Sequence, residues 1–154
     1  YVIPVRMIKA TGVDSILSEK NFVLYAVKYV NRYHAEYLIN GDLQGATAFV
    51  TTKGLNTSLM NYAAKDASGK AYNCELQLNF DNSGNCTVST NTDGFTASGS
   101  GRFVEADESQ LVGNRHPDTL YLDFQVSNDG LGISVSEKYV LTVKTRGVKS
   151  ETFK

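Results

Sequence analysis

Ala71-Tyr72-Asn73-Cys74-Glu75-Leu76-Gln77-Leu78-Asn79-Phe80 decides the fold. Tyr72, Cys74, Leu76, Leu78 and Phe80 fall on one side of an extended chain. Asn73, Glu75, Gln77 and Asn79 fall on the other. A period of two is the signature of a strand with one buried face and one wet face. Asp81-Asn82-Ser83-Gly84 supplies turn residues, after which Cys86, Val88 and Thr90 resume the alternation, so the unit is a hairpin.

The same pattern recurs outward from there. Leu120, Leu122, Phe124 and Val126 alternate with Tyr121, Asp123 and Gln125. Ser127-Asn128-Asp129-Gly130 is a strong turn. Beyond it Ile133, Val135, Tyr139, Leu141 and Val143 share one face if no bulge intervenes. Between the hairpins, Phe95, Ala97, Gly99, Gly101 and Phe103 alternate with Thr96, Ser98, Ser100 and Arg102. Two glycines on the inward side predict a sharp bend or a crossing of strands. Residues 22–30, 33–39 and 43–52 read as further strands, with Asn40-Gly41-Asp42 as a turn. Leu55 to Ala64 reads equally as a strand or as a short helix, with Leu55, Leu59, Met60 and Ala63 on the helical face. Residues 14–20 read as a helical turn or a loop.

Nine or ten strands at close spacing call for a sandwich or an up-and-down barrel. Strands that are wet on one face only favour a sheet that closes on itself, which also removes its edges. The expected class is all-β, an antiparallel meander closing into a barrel.

Composition sets limits on function. With 42% hydrophobic and 20% charged residues, the chain can build a core. Its net charge of −1 leaves no basic excess for phosphates, so nucleic acid is a poor partner. No apolar run of about 18 residues exists to cross a membrane as a helix. The chain begins at Tyr1 directly in a strand-like run, which reads as a mature or trimmed fragment whose targeting segment, or lipid anchor, would lie upstream. Cys74 and Cys86 flank one hairpin turn. Roughly four to six residues of stagger, on the order of 13–20 Å, separate them, whereas a disulfide needs Cα atoms within about 7 Å. Two buried thiols are expected.

Motifs for catalysis are missing. There is no Gly-x-Ser-x-Gly, His-Glu-x-x-His, P-loop or dinucleotide fingerprint. His34 and Glu36 share a strand face, but a surface pair is the simpler reading, because no third metal ligand is evident. His116 precedes Pro117-Asp118, a turn. Glu36, Glu75, Asp123 and Glu137 read as solvent-facing strand residues. Asp66-Ala67-Ser68-Gly69, Asp81 to Gly84 and Asn91 to Gly94 lack the bidentate glutamate of a calcium loop and read as plain turns. The expectation is therefore no enzyme, no metal and no cofactor.

The tyrosines carry the remaining signal: nine Tyr and seven Phe, with no Trp. Tyr25 and Tyr29 would share a face of one strand, Tyr33 and Tyr37 of the next. Tyr33, Tyr37, Tyr121 and Tyr139 are the candidate ligand-binding residues, through rings that stack on a sugar or an apolar ligand and hydroxyls that orient it. The competing reading is that inward tyrosines fill the core. Tyr121 alternates away from Leu120 and Leu122 and should be exposed.

Several segments resemble a known family. Tyr1 to Ile8 and Leu24-Tyr25-Ala26-Val27-Lys28-Tyr29-Val30-Asn31 resemble the last two strands of the immunoglobulin-like N-terminal domain of a large family of Bacteroides-type cell-surface lipoproteins. Tyr33-His34-Ala35-Glu36-Tyr37-Leu38-Ile39-Asn40-Gly41 resembles the opening strand of its C-terminal domain. Asp118 to Phe124 and Tyr139 to Phe153 resemble the closing hairpin and tail. The resemblance implies a truncated β-sandwich remnant over residues 1–31, followed by a lipocalin-like (calycin-like) barrel over residues 32–154. It implies a family of unknown function, labelled lipid-binding or associated with glycan use, secreted or held at the outer-membrane surface, with no catalytic residues to carry over. Three functional expectations follow: an accessory glycan-binding module, a carrier of a lipid or other apolar ligand, or a structural spacer. Residues 1–30 would pack on a neighbouring domain or on a second copy of the chain.

Overall fold

The computed structural model describes residues 2–12, 14–16, 21–26, 29–40, 45–106 and 118–146. Ten strands form among them: β1 (Val2–Arg6), β2 (Phe22–Ala26), β3 (Ala35–Ile39), β4 (Thr47–Thr52), β5 (Thr57–Lys65), β6 (Ala71–Phe80), β7 (Asn85–Thr90), β8 (Thr96–Val104), β9 (Thr119–Asn128) and β10 (Ile133–Thr145). β3 to β10 form a closed antiparallel barrel in which each strand pairs with the next in sequence and β10 returns to β3. β1 and β2 form a separate two-stranded sheet.

The alternation read in the sequence is the alternation of burial. In β6, Cys74, Leu76, Leu78 and Phe80 are buried while Asn73 and Glu75 are exposed. In β9, Leu120, Leu122, Phe124 and Val126 are buried while Tyr121, Asp123 and Gln125 are exposed. Side chains of this kind each contribute about 1.5–3 kcal/mol on leaving water. β10 keeps its phase from Ile133 to Val143, and the register shifts only between Val143 and Thr145.

Within Leu55 to Ala64, residues 57–64 resolve as strand. β5 pairs with β6 over its whole length, from Thr57 opposite Asn79 to Lys65 opposite Ala71. Its buried set is Ser58, Met60, Tyr62 and Ala64. The helical face is dispersed: Leu55 precedes the strand and is 69% exposed, and Ala63 faces solvent. A serine and an alanine on the inward face had weakened the period-two signal, and the pairing with β6 overrides local ambiguity. Of the strand read over residues 22–30, Phe22–Ala26 form β2, residues 27–28 lie outside the described residues, and the exposed Tyr29 is not in a strand.

The inward glycines of β8 mark a close approach. A Cβ on Gly99 would stand 2.4 Å from the Asp123 carbonyl oxygen. One on Gly101 would stand 2.4 Å from that of Tyr121 and 2.8 Å from Cys86 Sγ. Only glycine permits β8 to lie so tightly on β9. Cys74 and Cys86 are buried free thiols.

Polar clasps hold the barrel end where β3 begins. The buried Asn31 side chain donates to the carbonyls of Gly54 (3.0 Å) and Thr57 (3.2 Å), and its Oδ1 accepts from Tyr33 N (3.2 Å). Asp118 pairs with Arg146 and accepts the Ala106 amide (2.8 Å). The Arg146 guanidinium lies 5.9 Å from the centre of the Phe103 ring.

Candidate binding surface

The four candidate tyrosines do not converge. Tyr33 is 2% exposed, stacked on Phe80 with ring centres 3.5 Å apart and edge-on to Phe103. Tyr37 is fully buried and its hydroxyl donates to the Tyr33 carbonyl at 2.8 Å. Burial raises its pKa above the ordinary range. Tyr139 is half-buried on the inner side of β10, edge-on to Phe124 at 5.4 Å and tilted against Tyr62 at 6.3 Å. Tyr121 is on the outer wall of β9, 47% exposed, as its phase predicts.

One carboxylate departs from expectation. Glu137 shares the inward phase of Val135 and Tyr139, so it does not face solvent. It is half-buried and accepts a hydrogen bond from the Tyr62 hydroxyl at 3.0 Å. Burial first, and this bond second, raise the Tyr62 pKa. Glu36 is also half-buried, paired with Lys144 at 3.0 Å. Glu75 and Asp123 are exposed.

His34 Nδ1 accepts the Thr52 amide at 3.2 Å, and its ring lies edge-on to Phe49. No group of three His, Cys, Asp or Glu able to hold a metal forms among the described residues. His116 lies outside them. The Asp66 and Asp81 segments are turns closed on themselves. Asp66 Oδ1 accepts the Ser68 and Lys70 amides, and Asp81 Oδ1 those of Ser83 and Asn85. These bonds, with the side-chain bonds from Ser68 and Asn85 foremost, lower both aspartate pKa values.

Most of the barrel interior is packed, while the inward-phase Ala97 of β8 and Val135, Glu137 and Tyr139 of β10 are only partly buried. Val50, Ala64, Cys74, Leu76, Leu78, Leu120 and Leu141 are each 0% exposed, and Phe124 is 1%. A void able to admit water would expose the residues around it. The concavities lined by described residues open instead onto the outer wall and the barrel end.

The largest of these, about 420 Å3, lies over β8, β9 and β10. Register builds it. Tyr121 sits between Arg102 on β8 and Val140 on β10. One step along, Asp123 sits between Ser100 and Lys138, then Gln125 between Ser98 and Ser136. Lys138 Nζ is 2.9 Å from Asp123 Oδ2. Val140 is 40% exposed, so beside the tyrosine ring lies an aliphatic shelf. The Arg102 side chain makes no hydrogen bond or ion pair among the described residues. A smaller concavity of about 180 Å3 continues toward the β9–β10 turn, lined by Ser98, Gln125, Ser127, Ser134 and Ser136. An aromatic ring amid hydroxyls, an amide and charges can stack on an apolar sugar face while bonding its hydroxyls. Arg102, Lys138 and Val140 were not singled out as site residues from sequence. Their outward phase was legible, but which outward residues are neighbours depends on strand register.

The molecule is thus an eight-stranded, up-and-down antiparallel barrel with a filled interior and a short additional ribbon. The chain belongs to the family described as Domain of unknown function (DUF5627), whose pattern matches residues 10–147. It is similar to a solved structural-genomics protein of unknown function from Bacteroides ovatus: 32% identity, TM-score 0.74, over 84% of this chain and 47% of the other. The chain therefore spans about half the length of that protein. No curated protein matches it. Among the described residues no helix is long and apolar enough to cross a membrane.

Proposed function

We propose that this domain is a non-catalytic carbohydrate-binding module, secreted or displayed at the bacterial outer surface as part of a lipoprotein, with its ligand seated on the outer face of β8, β9 and β10. The exposed Tyr121 ring, between Arg102 and Val140 in an apolar-floored concavity, carries the reading. The ring is part of a contiguous apolar surface with Val140 inside a concavity, and it is such patches rimmed by polar groups that mark binding sites. The carrier reading is less well supported, because the space an apolar ligand would need inside the barrel is occupied by Leu76, Leu78, Leu122 and Phe124. The experiment is a glycan array on the purified chain, run beside a fatty-acid displacement assay. Glycan binding that Tyr121→Ala abolishes is expected. Stoichiometric displacement of a fluorescent fatty acid, or hydrolysis of an arrayed glycan, would overturn the reading.

The same proposal takes β1 and β2 as the remnant of a neighbouring immunoglobulin-like domain. A two-stranded sheet is marginal alone, and this one leaves Val5, Phe22 and Val23 about half exposed. Sedimentation distinguishes the partners: a monomer fits a neighbouring domain, whereas a dimer lost on Phe22→Asp means self-association.

A further inference from the structure

We propose that the ligand is an extended, acidic oligosaccharide, running from Tyr121 across Arg102 to Tyr29 at the barrel end, with a carboxylate or sulfate of the sugar held by Arg102. This rests on the carbohydrate reading above and names its ligand class.

Continuity is the first argument. The Tyr121 concavity shares Arg102 with a second one of about 220 Å3, at the end of β8. That one shares Arg32 and Asn82 with a third, of about 340 Å3, lined by Tyr29, Leu55 and Asn56. The three form a track. Each end presents an exposed tyrosine, Tyr121 at 47% and Tyr29 at 53%, with the amides of Asn56 and Asn82 along the way. A single sugar ring occupies one stacking platform. Two platforms with polar groups between them fit a chain of sugars.

Charge is the second argument. Along the track Lys138 is compensated by Asp123 at 2.9 Å and Arg32 by Glu105 at 3.1 Å, while the Asp81 carboxylate of the third concavity is taken up by the Ser83 and Asn85 amides and the Asn85 side chain of its own turn. Arg102, at the junction, has no such partner among the described residues. The whole chain carries a net charge of −1, so this cation is local and not one point in a basic field. A guanidinium presents paired donors that match a carboxylate or sulfate in a fork. A neutral sugar meets the same guanidinium only through hydroxyl oxygens and brings no opposite charge to pair with it.

The test measures binding of galacturonic acid oligomers, monomer to hexamer, and of their carboxyl-reduced counterparts, with a heparin-derived hexasaccharide as the sulfated arm. The acidic oligomers are expected to bind about tenfold tighter than the reduced ones. Affinity should rise with length and fall with added salt. Arg102→Gln should bring the acidic-to-reduced ratio near unity, and Arg102→Lys should restore part of it. Tyr29→Ala should remove the gain from length. Tyr121→Ala should abolish binding of every oligomer. Glu75→Gln, on β6, is the unaffected control, and thermal melts confirm that each variant is folded. A ratio near unity in the unaltered chain, or one that survives Arg102→Gln, overturns the acidic assignment and leaves the carbohydrate reading standing. Length-independent affinity overturns the track. No binding by these oligomers together with a blank glycan array overturns both.

Discussion

The inner and outer faces of β8, β9 and β10 belong to the same three strands but are built under different constraints. Inside, Leu122, Phe124 and Leu120 are at most 3% exposed, and Gly99 and Gly101 stand where no Cβ fits. Each inner position is decided by volume, since a packed interior tolerates neither a gap nor an extra methyl. Outside, Arg102, Tyr121, Asp123, Lys138 and Val140 meet no such demand. Their types are free as far as the fold is concerned. An exposed tyrosine beside an arginine with no ionic partner among the described residues invites a functional account, while a buried leucine opposite them does not.

Variants sharpen the contrast, beginning with the largest effect. Phe124→Ala removes a ring that packs edge-on to both Tyr62 and Tyr139, and should cost about 4 kcal/mol in a urea titration. A cost below about 1 kcal/mol would mean that the interior is loosely filled, and would reopen the carrier reading. Gly101→Ala follows. Its new Cβ meets the Tyr121 carbonyl at 2.4 Å and Leu122 Cδ2 at 2.6 Å, so backbone must move, at about 3 kcal/mol. Asn31→Ala, which removes the side-chain bonds to the Gly54 and Thr57 carbonyls and to the buried Ser58 hydroxyl, should cost about 2 kcal/mol and loosen the barrel end by hydrogen exchange.

The inner face carries a pH effect at the alkaline end. Burial, and after it the nearby Asp81 charge, push the Cys86 thiol from an ordinary 9.0 up to about 12. The fold thus favours the protonated thiol. Its contribution is complete below pH 9.0 and is lost as the pH rises toward 12, because only the unfolded chain ionises there. Unfolding free energy should fall across that window, and Cys86→Ala should flatten the decline. Alkylation of Cys86 at pH 8 in native buffer, at the rate of a free thiol, would contradict its burial.

The smallest stability change belongs to the proposed site. Tyr121→Ala should shift unfolding by no more than about 0.5 kcal/mol, as exposed substitutions do, while it removes glycan binding. A large destabilisation would make Tyr121 a structural residue and weaken the comparison itself.

Much of the barrel was legible because burial on one face only writes itself into the chain at period two. β6, β9 and β10 have the faces that their alternation implied. β5 was ambiguous because Ser58 and Ala64 stand on its inward side, and only pairing with β6 settles its conformation. Glu137 followed the phase of its strand into the wall, where a hydroxyl from β5 receives it, against the default that carboxylates face water. The candidate tyrosines illustrate the limit best. Their types drew attention to all four, yet residues 33, 37 and 139 point inward and Tyr121 alone stands on the outer wall.

By itself the sequence determined the all-β class, the phase of the long strands, the free thiols and the exposure of Tyr121, because each follows from alternation or from spacing along one hairpin. Tertiary structure alone decided the closure of β10 onto β3, the pressing of β8 against β9 at Gly99 and Gly101, and the meeting of Arg102, Tyr121 and Val140 across three strands. Those depend on register between segments far apart in the chain. Register is set by how the buried faces fit together, a property that no single segment carries.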